Sequence, residues 1–388
     1  MTRPLDGIVV ADLSRVLAGP LATQSLADLG ATVVKVERPG SGDDTRSWGP
    51  PWSAAGAAYF DAANRSKQSI ALDLDNPDDL AVCHRLVDRA DVLVENFRVG
   101  SLARHGLDPA TTRVRWPRLI HCSITGFGSA GGAALPGYDV VVQALGGLMS
   151  ITGQPDGDPQ KVGVALVDVL TSKDAVAGVL AALRHRDLTG LGQTVEVNLL
   201  QSLLASLANQ AGSYLATGVS PERLGNRHPS IAPYETLKCA DGLLVVACGN
   251  DGQFRRLCHV LGLDALGKDP RFATNPARVA AREELRRVLE ERLAGGAAAV
   301  WQERLTEVGV PAGEVRDIAG GFALADRLGL EPLVHPSEAG STPLVAHPVT
   351  FSGFTPAPAR RPPTLSEHDQ QVRAWLAGPD HPLPKDHA

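Results

Sequence analysis

Apolar positions in the first third of the chain fall into short, nearly unbroken runs separated by stretches of helical period. That is the pattern of strands buried on both faces alternating with covering helices. Gly7-Ile8-Val9-Val10-Ala11-Asp12-Leu13 is the first run, and Asp12 lies near its carboxyl end, where the following loops carry sites in open α/β sheets. Pro20 suits a first helical turn, Leu21 to Leu29 has helical spacing, and Gly30 closes it before Ala31-Thr32-Val33-Val34-Lys35-Val36, completing one βαβ unit. The pattern repeats: Ser69 to Leu74 predicts a strand, Asn76 caps a helix from Pro77 to Ala90, and Asp91 to Phe97 and Leu119 to Thr125 predict strands. The expected fold class is α/β, with a parallel sheet covered on both faces.

Farther along, Leu170 to about Tyr214 is a long helical region, interrupted by Gly190 to Gly192 and the strand-like Thr194-Val195-Glu196-Val197. The pattern then changes. Gly225 to Pro233 is turn-rich, Gly242 to Cys248 reads as a strand, and Phe254 to Leu263, Ala280 to Leu293 and Ala298 to Val308 read as helices. The expected division is a large domain begun by 1–224, a small domain at 225–325, and a return to the large domain with a tail over 326–388. Pro356 to Pro363 is a proline-rich connector. Ser366 begins a capping box, with Asp369 in place of the usual Glu, leading into a helix through Trp375; the tail after Gly378 is expected to be loose.

Composition narrows the function. A net charge of −6 over 388 residues argues against non-specific nucleic-acid or membrane-surface binding, so any anionic ligand must be met by local cations. Asp6 and Asp12 interrupt the apolar residues near the start, so no signal-type leader is expected, and the apolar runs are all short of a membrane span. A cytoplasmic protein follows as the expectation. Cys83, Cys122, Cys239, Cys248 and Cys258 are scattered, with no Cys-x-x-Cys pair, and read as buried free thiols.

Asp168 is the leading candidate for chemistry. It ends the run Val162-Gly163-Val164-Ala165-Leu166-Val167-Asp168 at the threshold of a helix-patterned segment, Leu170 to Arg184. A carboxylate there feels the positive end of a helix dipole and is expected to stay ionised among apolar neighbours, as a nucleophile must. A plain helix cap fits the same position. Arg15, Arg38, Arg46, Arg65, Lys67, Arg98 and Arg104 fall beside predicted strand ends or in the loops after them, placed to meet a phosphorylated ligand together. Taken singly, each reads more simply as solvated surface charge.

Other motifs are weaker. Gly126-Phe127-Gly128-Ser129-Ala130-Gly131 matches a dinucleotide fingerprint, but Gly132 and Pro136 follow where a helix must open. Ser129 lacks the first glycine of a nucleophile elbow, whose place Phe127 holds. His105, His228 and His347 lie in predicted loops, no histidine has metal-ligand spacing, and no metal is expected.

Together the motifs resemble those of the family III CoA-transferases. The resemblance runs from about Leu5 to Trp375, through Ser14-Arg15-Val16-Leu17-Ala18-Gly19-Pro20, Lys35-Val36-Glu37-Arg38-Pro39-Gly40, Asn64-Arg65-Ser66-Lys67, Glu95-Asn96-Phe97-Arg98, Gly137-Tyr138-Asp139, Asp168, Gly225-Asn226-Arg227-His228-Pro229 and Ser366-Glu367-His368. By that likeness Asp168 falls on the catalytic aspartate, while Arg15, Val16, Arg38, Leu72, Asn96, Arg98, Arg104 and Tyr138 fall on or beside CoA-contacting positions.

The resemblance implies a Rossmann-like open parallel sheet in a large domain, a smaller second domain, and an interlocked homodimer. It implies CoA transfer from an acyl-CoA to a free carboxylic acid through an aspartyl mixed anhydride and an aspartyl-CoA thioester. CoA is a substrate, and no tightly bound cofactor is expected. Gly249-Asn250-Asp251-Gly252-Gln253 resembles a mobile glycine loop expected to close over the site, although Asn250 and Asp251 replace glycines. Two alternatives stay open. A 2-methylacyl-CoA racemase needs a second acid/base, a histidine in the related enzymes, where this chain has Tyr138; a non-catalytic CoA-binding protein would use Asp168 only as a cap. The exchanged acids, whether short dicarboxylates, formate with oxalate, carnitine-like or aromatic acids, are not legible.

Overall fold

A run that is apolar at every position needs a core on each side of its strand. The computed structural model, which describes residues 2–54, 56–338 and 341–378, provides both. The strands of the first part are β1 (Val9–Asp12), β2 (Thr32–Glu37), a short hairpin of β3 (Trp52–Ser53) and β4 (Gly56–Ala57), β5 (Gln68–Ala71), β6 (Val92–Glu95), β7 (Ile120–Thr125) and β8 (Thr194–Asn198). Six of them form one all-parallel sheet in the order β5-β2-β1-β6-β7-β8. Without the hairpin this is the dinucleotide-fold order, which reverses direction between β1 and β6.

The helices of this part are α1 (Ala18–Asp28), α2 (Ala58–Asn64), α3 (Pro77–Arg89), α4 (Pro109–Arg115), α5 (Asp139–Leu145), α6 (Leu148–Ile151), α7 (Leu166–Thr189), α8 (Leu199–Ser206) and α9 (Ala208–Thr217). Successive strand residues point to opposite faces. Val10, Val33 and Val92 therefore enter one core with Leu26 of α1 and Val179 of α7, while Ala11, Val34 and Leu93 enter the other with Leu86 of α3. Each fully buried Leu or Val contributes on the order of 1.5–3 kcal/mol. Asn76 caps α3 as expected, its Oδ1 accepting from the Asp78 and Asp79 N–H groups at 2.9 and 3.4 Å.

Three of the basic residues expected at a ligand are instead spent inside the protein. Lys67 Nζ lies 3.0 Å from Asp12, Arg46 grips Glu37, and Arg65 grips Asp28, each cation at most 9 % exposed. Lys35 adds a contact of 2.9 Å to Asp43 and donates to the Ser14 carbonyl. Burial alone would raise the Asp12 carboxyl, but the Lys67 and Lys35 charges with the Ser14 and Thr23 hydroxyls outweigh it and hold it down to about 2. Burial dominates at Lys67, whose ammonium is lowered to about 8 despite Asp12. This network fixes the loop after β1 from below.

The described residues of Met1–Leu148, Lys161–Val219 and Glu331–Ala388 form one compact unit; Met149–Gln160 and Ser220–Leu330 form another. The second therefore takes in Met149–Gln160, which the sequence pattern assigns to the first domain. Its reason is local: Arg223 Nη1 donates to the Ser150 carbonyl and Gly225 N to the Gly153 carbonyl. The rest of that unit is an antiparallel sheet, β9 (Tyr234–Lys238), β10 (Leu243–Ala247) and β11 (Ala312–Glu314), with α10 (Asp251–Val260), α11 (Asn275–Ala280), α12 (Arg282–Leu293), α13 (Ala298–Glu307) and α14 (Ile318–Arg327). Leu244, Phe254, Leu289 and Leu305 meet in its core.

The segment read as a mobile glycine loop opens α10. Asn250 caps the helix by accepting from Gln253 N, and Asp251 pairs at 2.8 Å with the fully buried Arg278.

In the C-terminal part, α15 (Asp369–Ala377) packs Val372, Trp375 and Leu376 into the core that holds Leu86. The expected capping box does not form. Ser366 has φ +62° and donates its N–H to Ser69 Oγ, while the Asp369 carboxylate accepts from Arg373. The tail after Gly378 lies outside the described residues. All five cysteines are free and Cys239 alone is only half-buried. Among the described residues no helix is long and apolar enough to cross a membrane, and no group of side chains has metal-site character.

Candidate active site

Where the sheet order reverses, the loops after β1 and β6 part and leave a crevice at the carboxyl ends of the strands. In this molecule a cleft of about 550 Å³ opens there, lined by Arg15 to Ala18 after β1, Asn96 to Val99 after β6, the loop after β7, and Asp168. Asn96 ties the first two loops together: Arg15 N donates to its Oδ1 at 2.9 Å and its Nδ2 donates to the Arg15 carbonyl at 2.7 Å. Its side chain thus serves the loop, a role the resemblance did not supply. Val16 is held at φ +71°, a left-handed conformation unusual for a β-branched residue, with its N–H on the Asp43 carboxylate. Asn96→Ala leaves both Arg15 backbone groups without these partners. Loss of about 1–3 kcal/mol is expected in the unfolding free energy from urea titration, with weaker CoA binding by calorimetry.

Gly126 and Gly137 bring the loop after β7 back on itself. A Cβ on Gly126 would sit 2.4 Å from Gly137 Cα, so only glycine allows the approach. The Gly126–Gly131 segment runs on in turns, with no helix until α5, and lacks the helix a pyrophosphate fingerprint requires. Its geometry delivers Tyr138, the residue before α5, and Asp139, the first residue of α5, to the cleft wall.

Asp168 lies in the first turn of α7, which begins at Leu166, four residues before the expected start. It does not cap this helix. The cap is Asp139, whose Oδ1 accepts from Val167 N at 2.7 Å and from Asp168 N at 3.2 Å. The Asp168 carboxylate is left without a hydrogen-bond donor or ion pair among the described residues and faces the cleft. Burial, with a smaller push from the Asp139 charge, raises its carboxyl to about 7. Burial and the neighbouring carboxylate thus push against the helix end that was expected to keep the group ionised. Tyr59 of α2 was also missed; its phenol is raised by burial first and then by Asp168, Asp139 and Asp43.

A second cleft of about 280 Å³ shares Arg15 and Phe97 with the first and adds Arg38, Leu72 and Arg104. The predicted site residues thus divide. Val16, Asn96, Arg98, Tyr138 and Asp168 line the first cleft, Arg38, Leu72 and Arg104 the second, and Arg15 both. Arg15 and Arg38 both hold Asp44, at 3.1 and 2.6 Å, and Arg104 holds Asp75 at 3.0 Å. These pairs are exposed and worth little, so an incoming polyanion meets cations that are easily redirected. Arg98 is exposed and carries no ion pair among the described residues.

The family profile described as CoA-transferase family III matches residues 5–369. A succinate–glutarate CoA-transferase of Agrobacterium fabrum is 48% identical over 388 residues, covering 96% of each chain. An acetyl-CoA:oxalate CoA-transferase of Acetobacter aceti is 39% identical, covering 97% of each. Among solved structures, a CAIB/BAIF family protein from Brucella suis superposes with a TM-score of 0.87 at 45% identity, covering 97% of this chain and 100% of that one.

Proposed function

This chain belongs to CoA-transferase family III, and from that membership we propose that it moves CoA from an acyl-CoA to a free short dicarboxylic acid, with Asp168 as nucleophile. The observation that carries the reading is the Asp168 carboxylate, unpaired among the described residues, desolvated and open to a cleft that also holds Arg15 and Arg98. The named relatives act on succinate, glutarate or oxalate, all dicarboxylic acids. A second carboxylate on the substrate calls for a cation, and Arg98 has no ion pair among the described residues.

In the proposed reaction an Asp168 oxygen attacks the thioester carbonyl carbon. The C–S bond breaks, and CoA leaves as thiolate from an aspartyl mixed anhydride. The thiolate then attacks the aspartyl carbonyl carbon, releasing the first acid as carboxylate and leaving aspartyl-CoA thioester. The acceptor carboxylate enters by the same steps reversed, so no water is consumed and the thioester energy is kept. Helix α1 starts at the cleft without a side-chain cap, so the Ala18 N–H is free to meet the tetrahedral oxyanion. The CoA nucleotide is assigned to the second cleft, beside Arg38 and Arg104. None of the residues lining the first cleft among those described is a histidine, and Tyr138 stands at its wall, which favours transfer over racemisation.

A homodimer is also proposed. In the first unit α9, with Tyr214 and Leu215 exposed, buries none of its residues, and in the second unit α14 buries none of its own. Such apolar faces are characteristic of obligate interfaces. Interlocking of the two chains follows the family resemblance.

Mixing the protein with succinyl-CoA and glutarate should yield glutaryl-CoA and succinate. With succinyl-CoA and hydroxylamine alone it should yield an aspartyl hydroxamate at Asp168, located by peptide mass. Transfer without that adduct removes the covalent route; absence of exchange with every dicarboxylate tried removes the substrate class.

A further inference from the structure

We infer that Asp139 is the positioning residue for Asp168: its carboxylate holds the first turn of α7 in place and sets a fixed negative charge beside the nucleophile. The inference rests on the reading of Asp168 as nucleophile. Asp139 Oδ1 accepts from the backbone N–H groups of Val167 and of Asp168 itself. Its Oδ2 accepts from Gln143 Nε2 at 2.6 Å. Gln143 is fully buried one turn along α5, and its Oε1 accepts from Val162 N at 2.9 Å. One face of α5 therefore grips both ends of the segment 162–168 that presents the nucleophile.

All three groups meeting Asp139 are N–H donors, the complement of a carboxylate without a proton. Gln143 cannot turn its amide round without losing Val162. The titratable and charged groups set against Asp168 are Asp139 from α5 and Tyr59 from α2, with Arg15, Asp44, Arg98 and Tyr138 lining the same cleft. Asp139 is the one that raises its carboxyl alongside burial. A more basic carboxylate is a better nucleophile and a poorer leaving group, so this charge bears on each acyl transfer at Asp168.

Two variants separate charge from shape. Asp139→Asn keeps an acceptor for the two backbone N–H groups but removes the charge and sets an NH₂ against Gln143. Asp139→Glu keeps the charge and displaces the acceptor. For Asp139→Asn, the acidic limb of kcat/KM against pH should move down by on the order of one pH unit. Its kcat should fall about tenfold to a hundredfold, with KM for acyl-CoA little changed. Asp139→Glu should lose kcat with the limb in place. A limb that stays at the wild-type pH in Asp139→Asn, or wild-type kcat in Asp139→Glu, overturns the inference; should the asparagine variant fail to fold, the glutamate variant decides by its kcat. Activity in an Asp168→Asn control would instead overturn the nucleophile reading on which it stands.

Discussion

Asp168→Asn is expected to lower CoA exchange by at least about 10⁴-fold while leaving CoA affinity within a few-fold of wild type. The loss follows from the chemistry. A carboxamide keeps the volume and polarity of the side chain but has no anionic oxygen to attack a thioester, so neither the anhydride nor the enzyme thioester can form. Affinity is retained because the proposed binding groups are elsewhere: Arg38 and Arg104 line the second cleft, and Asn96 locks the Arg15 loop without touching Asp168. The turn is retained as well, since Asp139 and not Asp168 caps α7. Succinyl-CoA/glutarate exchange and calorimetric titration with CoA provide the two measurements, with Asp168→Ala as a second variant. Retained turnover in either removes Asp168 from its role. Lost CoA binding would instead mean that the side chain supports the cleft.

Much of this site was legible because its landmarks are short local patterns. The strands announced themselves by runs such as Val9 to Leu13, since burial on both faces demands apolar residues at consecutive positions. The Asn76 cap was legible for a similar reason: donor and acceptor are two and three residues apart. What escaped depends on partners distant in sequence. Nothing around Lys67 tells that its ammonium meets Asp12, 55 residues upstream, so a buried scaffold cation looked like a phosphate contact. The early start of α7 was hidden because its capping carboxylate comes from Asp139, 28 residues before the N–H of Val167. Asp139 itself was in view within Gly137-Tyr138-Asp139. Its role needed the close approach of Gly126 to Gly137, which folds that segment against the end of β7.

Acid should lower the activity of this protein while strengthening the contribution of Asp168 to its fold. Catalysis requires the ionised carboxylate, and burial holds the Asp168 carboxyl at about 7. Below that pH, kcat/KM, which reports the free enzyme, should fall about tenfold per unit, or on the order of a hundredfold from pH 7 to pH 5. Stability runs the other way. The folded carboxyl is raised above its ordinary value of 3.8, so between these two values the native state holds more proton than the unfolded chain. The contribution is fully present below the lower value and is lost as pH rises through the upper one. Its size is about 2–4 kcal/mol, allowing for partial solvent access. Asp168→Asn carries no such group, so it should exceed wild type in urea stability by that amount at pH 8 and by much less at pH 5. Comparing the two chains at each pH cancels the titrations of groups not coupled to Asp168. An equal difference at both pH values, or a flat activity profile from pH 5 to pH 8, would show that Asp168 is not the desolvated carboxyl described, and the cost of burying the nucleophile would have to be sought elsewhere.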